Sequence, residues 1–207
     1  MNMAQRERRS MVETMDETGP DAPTLCGDWS VRDLAAHLVV RERRPDAAPG
    51  IMLRPFAGYL RRRQDKAAQR PFPELLELVR TGPPWWSPLR PVDAIANLSE
   101  MFVHHEDVRR ARPGWEPREL PAEDEQRLWS VLRRMGKMAY RKSPVPVELS
   151  TPSGNRVRVV DGSGPAVTLT GAPGELLLHA FGRDEVRIET AGEPEAVRRV
   201  LELDRSI

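Results

Sequence analysis

This chain is poor in the residues that most sharply narrow a protein's chemistry. Cys26 is its only cysteine, which excludes an internal disulfide framework and any cysteine-rich zinc site. A reducing cytoplasm is therefore the expected location. Lysine is confined to Lys66, Lys137 and Lys142, and this arginine-heavy balance reads as the mark of a GC-rich genome rather than as chemistry. No apolar stretch approaches the roughly 18 residues that a membrane span needs. The segment Met1–Ser10 is polar and Arg-rich with no apolar run behind it, so it does not read as a secretory leader. An excess of one charge is missing too. The formal net charge is +1, and nothing in it points to nucleic acid or a membrane surface as partner. There is no P-loop, no dinucleotide fingerprint and no serine in a nucleophile elbow. Arginine does cluster locally, at Arg41–Arg44 and Arg61–Arg63. These runs read as solvated helix faces; an anion-binding groove is the other reading.

A chain of 207 residues forms one large domain or two small ones, and either can bury a core. Helical patterns dominate up to about Tyr140. The expected helices cover Ala4–Glu17, Ser30 to about Arg44, Phe56–Gln69, Pro73–Arg80, Val92–Ala111 and Ala122–Arg141. The second has the clearest start. Ser30 can cap it, Asp33 can return the capping-box bond, and Trp29 can pack on Leu34. The proline-rich stretch Thr81–Pro91, with Trp85 and Trp86, reads as an ordered loop. The character changes at Ser143-Pro-Val-Pro146. Strands are expected at Val147–Ser150, Val157–Val160, Ala166–Thr170 and Val186–Thr190, with helices at Pro173–Phe181 and Pro194–Leu203. The last two strand–helix units echo each other, each joined by a glycine and a proline in the first helical turn. The layout is α+β: an all-helical domain over 1–142, then a small α+β domain over 143–207.

The most informative stretch is Glu100-Met-Phe-Val-His104-His-Glu-Asp107. Glu100 and His104 are four residues apart, so a helix stacks them on one face. A carboxylate and an imidazole so placed can grip a divalent metal from a rigid support. Ile95, Leu98 and Phe102 form one stripe of this helix, and Glu100, His104 and Asp107 lie opposite. Periodicity alone makes that cluster the solvated face. However, Ala94, Ala96, Met101, Val103 and Val108 leave the circumference mostly apolar, as in a buried helix, and buried carboxylates and imidazoles need partners. His37, at the edge of the stripe Val31–Leu34–Leu38, is the best third ligand, or else a hydrogen-bonded core histidine. His105 falls nearer the apolar side of its helix, and His179 reads as packing. Asp107, one turn beyond His104, can accept a ring N–H from a ligand. Cys26 reads as a small buried hydrophobe; the other reading is that it approaches the site, because its loop leads into the His37 helix.

The segment Leu25-Cys-Gly-Asp-Trp-Ser-Val-Arg-Asp-Leu-Ala-Ala-His37-Leu resembles the N-terminal signature of the mycothiol-dependent maleylpyruvate isomerase family, one of the DinB-like metal-binding four-helix bundles. Its second signature, Glu-x-x-x-His-x-x-Asp, is matched by Glu100, His104 and Asp107. Leu176-Leu-Leu-His-Ala-Phe-Gly-Arg183 is similar to part of the family's small C-terminal domain. The likeness is strongest to an actinobacterial subgroup of undefined reaction, through Leu38–Asp46 and Phe102–Arg110. The resemblance implies a DinB-like four-helix bundle followed by the α+β domain. It also implies a metal, zinc foremost, on His37, Glu100 and His104. The implied chemistry is activation of a small thiol such as mycothiol against an electrophilic substrate, as isomerase or transferase. By analogy with a functional arginine in the family's C-terminal domain, Arg183 is implied as a catalytic residue that binds a substrate carboxylate; a solvated arginine beyond a helix end is the other reading. The competing readings are a non-enzymatic metal-binding or sensing module and a plain helical interaction protein that uses the Trp85–Trp86 loop. Monomer and homodimer are both compatible with the sequence.

Overall fold

The structure is a computed structural model, and it describes residues 2–47, 54–85, 87 and 93–205. The chain forms α1 (Met3–Thr18), α2 (Val31–Arg43), a 3-10 turn (Pro45–Ala47), α3 (Arg54–Ala68), α4 (Phe72–Thr81), α5 (Asp93–Arg110) and α6 (Ala122–Ala139). Then follow β1 (Val147–Ser150), β2 (Arg156–Val160), β3 (Val167–Thr170), α7 (Pro173–Ala180), β4 (Glu189–Ala191) and α8 (Pro194–Leu201). The class is α+β, as the patterning indicates. Trp86 and most of the proline-rich loop after Trp85, and the side chains of Ala94, Ile95 and Ala96, lie outside the described residues.

Backbone contacts divide the chain into two compact units, Met1–Trp115 and Glu116–Ile207. The expected boundary fell after Lys142; this division falls before α6. The reason is close packing within the second unit. A Cβ at Gly136 on α6 would stand 2.7 Å from Val159 Cγ1 of β2, so helix and sheet approach as closely as a missing side chain permits.

In the first unit, Met11, Val12 and Met15 of α1, Val31, Leu34 and Leu38 of α2, Leu75 and Val79 of α4, and Met101 and Val108 of α5 share one core. The α2 start is as read: Ser30 accepts from the Asp33 amide while the Asp33 side chain accepts from the Ser30 amide. Two buried polar links tie helices across this core. Arg8 of α1 forms a two-pronged ion pair with Glu42 of α2, and its Nη1 also donates to the Val79 carbonyl of α4 at 2.8 Å. His105 of α5 meets Glu7 at 3.0 Å and Thr14 at 3.1 Å, both on α1. Buried ions on helices persist only when paired in this way.

In the second unit the sheet order is β2-β1-β3-β4, with β1 and β3 parallel and both outer pairs antiparallel. The echo of strand, glycine, proline and helix is present twice, in β3–α7 and β4–α8. The last strand differs from its expected Val186–Thr190 and pairs only from Glu189. Upstream, the Arg187 amide donates to the Glu175 carboxylate at 2.7 Å and the Val186 amide to the Asp184 carbonyl, so those groups are spent off the ladder. His179 of α7 is buried and bonded through Nδ1 to the Tyr140 hydroxyl at 2.6 Å.

Two outcomes follow. Arg8→Ala takes from buried Glu42 its two-pronged cationic partner; we expect a loss of about 3–5 kcal/mol in urea unfolding, and a loss below about 1 kcal/mol would contradict the paired-core account. The second concerns acid. Burial, with Arg205 nearby, lowers the His179 pKa from 6.5 to about 3. The fold thus favours neutral His179, and its contribution is complete above pH 6.5 and lost as pH falls toward 3. Wild-type stability should drop by up to about 1.4 kcal/mol per pH unit from this group in that window. His179→Asn should flatten the profile; equal slopes would refute the assignment.

Candidate metal centre

The α5 helix is buried nearly all round: Met101, Phe102, Val103, His105, Glu106, Asp107 and Val108 are all below the surface. Asp107, which periodicity put on the solvated side, is fully buried. Tertiary cover from the loop before α2 overrides the wheel, because the Leu25 amide donates to the Asp107 carbonyl at 3.1 Å. That bond lays the Thr24–Trp29 loop against α5 and brings α2's His37 with it.

Glu100 stands between two imidazoles. Its Oε1 lies 3.3 Å from His104 Nε2 and 3.6 Å from His37 Nε2. The two rings meet edge to face with centroids 5.6 Å apart. One ligand atom from each of His37, Glu100 and His104 falls within 4.8 Å of the others. Nitrogen and oxygen ligands at about 2.0–2.1 Å in a tetrahedron stand about 3.3 Å from one another, so these separations suit a divalent ion. The tautomer suits it on one side. His104 Nδ1–H donates to Asp107 Oδ2 at 2.9 Å, which turns the Nε2 lone pair toward Glu100. On the other side, Gln64 sets the ring. Its Nε2 lies 2.9 Å from His37 Nδ1 and donates to it, which leaves the hydrogen of a neutral His37 on Nε2. Turning the amide over puts an oxygen there, moves that hydrogen to Nδ1 and frees Nε2.

The charges follow from these contacts. Burial pushes Glu100 up, but bonds from His104 and His37 outweigh it and hold the carboxyl well below its usual range. Burial pushes His104 down, yet Asp107, Cys26 and Glu100 together raise it well above its usual value. His37 is lowered, chiefly by burial. Both shifts favour an imidazolium at His104 beside an ionised Glu100.

Several participants were not legible. Arg41 Nε reaches Glu100 Oε1 at 3.1 Å and is itself held by Asn97 at 2.7 Å. Its signal was its place one turn after His37; the reading of that run as a solvated face does not hold for Arg41. Gln64, on α3, carried no signal. Cys26 is more than a small hydrophobe: its S–H donates to Asp107 Oδ2 at 3.0 Å, and its sulfur lies 3.6 Å from His104 Nδ1. Cys26, His104 and Asp107 thus make a second cluster of potential ligand atoms sharing His104. A cavity of about 490 Å³ adjoins these residues, lined by Cys26, Asp28, Trp29, Leu60, Arg61 and Gln64 among others, within the size range of small-molecule sites. Arg183 belongs to the second unit, where its Nη1 donates to the Phe181 carbonyl at 2.6 Å just after α7.

A helical unit in which α2 and α5 converge on two imidazoles and a carboxylate, followed by a small mixed sheet, is the framework on which the comparison rests. The chain belongs to the family described as the mycothiol maleylpyruvate isomerase N-terminal domain, which matches residues 3–181. No curated protein and no solved structure matches the chain. Among the described residues, no helix is long and apolar enough to cross a membrane.

Asp107 collects the His104 and Cys26 hydrogens without solvent access. Asp107→Asn replaces an acceptor by a group half of which is a donor. We expect it to cost the chelator-treated protein about 1–3 kcal/mol in denaturant unfolding; unchanged stability would remove Asp107 from this role.

Proposed function

We propose that this protein is a metal-dependent enzyme of low-molecular-weight thiol chemistry, with His37, Glu100 and His104 as the ligands of a divalent ion, zinc foremost. The helical part is read as a DinB-like four-helix bundle, and the location as the cytoplasm. The observation that carries the reading is the spacing of the Nε2, Oε1 and Nε2 atoms around one point, joined to membership of a family named for mycothiol. Two nitrogens and one oxygen leave coordination positions free, the feature that separates catalytic from structural sites. An ion held there would lower the pKa of a bound thiol and yield thiolate at neutral pH.

The chain's own residues do the rest. Asp107 holds the Nδ1 proton of His104 and so fixes which nitrogen faces the centre. Gln64 does the same for His37 once its oxygen faces Nδ1. Arg41 fixes Glu100 and offsets part of its charge. To hold a cation, His104 would present Nε2 without a proton, so any proton held there would be released on loading. The 490 Å³ cavity beside Cys26 and Trp29 takes the thiol and an electrophilic partner. The reaction is isomerisation or group transfer, and Arg183 is proposed as the group that binds a substrate carboxylate.

The test is metal content and thiol binding in one series. Purified protein should hold about one zinc-type ion per chain, and His104→Ala should lose at least tenfold in metal affinity, as changes at such sites do by about 10–100-fold. Titration of the loaded protein with mycothiol should give saturable heat that the chelated protein lacks. Undiminished stoichiometric metal in His104→Ala removes the site. Metal binding without mycothiol heat leaves a metal-binding module instead.

A further inference from the structure

Three arginines of the two runs, Arg43, Arg44 and Arg63, gather at a second cavity. Arg43 at the end of α2, Arg44 just after it, Arg63 and Lys66 of α3, and Arg70 beyond α3 line a cavity of about 680 Å³ whose floor includes Val40, Ala67 and Leu78. Pairing is uneven among them. Arg44 is held by Asp46 at 2.7 Å, and Arg70 by Glu74, so those charges are neutralised. Among the described residues no carboxylate pairs with Arg43, Arg63 or Lys66. Arg43 is pinned by its Nη2, which donates to the Leu78 and Gly82 carbonyls and to the Thr81 hydroxyl at 2.8 Å. Arg63 lies over the Tyr59 ring, 4.7 Å from its centroid, and donates to the Tyr59 hydroxyl at 2.6 Å. Both guanidinium groups are thus fixed, and each keeps a buried Nε–H with no hydrogen-bond partner.

Buried donors without partners are rare and costly, and a fixed guanidinium is pre-organised for oxyanions. We propose that this cavity is a binding site for a phosphate-bearing small molecule. Arg43, Arg63 and Lys66 meet its phosphate or diphosphate group, and the apolar floor takes its organic part. The volume exceeds what a bare phosphate fills and falls in the range of small-ligand sites. The site uses none of the proposed metal ligands, so it stands or falls separately from the thiol chemistry.

The test is calorimetric titration of the full-length protein with inorganic pyrophosphate and with phosphate, at ionic strength balanced by sodium chloride, both metal-loaded and chelated. The expected result is saturable one-to-one binding that is the same in both forms. Lys66→Gln, on an exposed position, and Arg63→Gln should each weaken it by about tenfold or more, while Lys66→Arg keeps it. Absence of heat from wild type, or equal affinity in Lys66→Gln and wild type, overturns the proposal. Vesicles of phosphatidylcholine with phosphatidylglycerol form the second arm. Co-sedimentation with these vesicles, without binding of free pyrophosphate, overturns it in favour of a lipid surface.

Discussion

The candidate centre depends on one buried carboxylate. Asp107 has no contact with solvent, and two donors, His104 Nδ1–H and Cys26 S–H, share a single oxygen of its carboxyl group. Its backbone carbonyl takes the Leu25 amide. The same residue therefore anchors the loop, orients the imidazole and stabilises its proton. Without it the loop that delivers α2 loses its attachment through the Leu25 amide, and His104 Nδ1 loses its acceptor. An uncompensated carboxylate at this depth costs several kcal/mol, so the arrangement is self-enforcing: the donors are needed by the charge as much as the charge is needed by them.

Around that point the helical unit is held by a mixture of apolar packing and buried polar ties. The methionines and leucines shared by α1, α2, α4 and α5 supply non-directional burial. The Arg8–Glu42 pair and the Glu7–His105–Thr14 chain supply direction. Polar links of fixed geometry penalise rotation of one helix against another, which apolar contacts tolerate. That matters for the candidate ligand atoms on α2 and α5, because a small rotation of either helix would separate His37 from Glu100.

Much of the fold was legible because local signals agreed with the tertiary outcome. The Ser30 cap with Asp33, the glycine and proline stops, and the alternation in Val147–Ser150 each specify an element from within a few residues. The candidate ligands were legible from the four-residue spacing of Glu100 and His104, and from a histidine on a second amphipathic helix. What was not legible depends on long-range placement. Asp107 lay on the polar side of a helical wheel, and only the loop over it makes that side interior. Arg41 looked like one more surface charge until Glu100 was brought beside it. Val186–Ile188 has the composition of a strand, but Glu175 claims the Arg187 amide first. No periodicity encodes an amide on α3 that reaches a ring on α2, so Gln64 had no signature at all.

Gln64 has a consequence of its own. Its side chain is uncharged, and its two ends differ only in what they offer the neighbouring ring. Which end faces His37 decides whether that imidazole can lend an electron pair toward Glu100. Half a turn about one carbon–carbon bond therefore sets the basicity that the centre presents. The amide and the ring proton are linked: an oxygen at Nδ1 goes with a hydrogen there and a free Nε2, and an amide nitrogen at Nδ1 goes with the reverse.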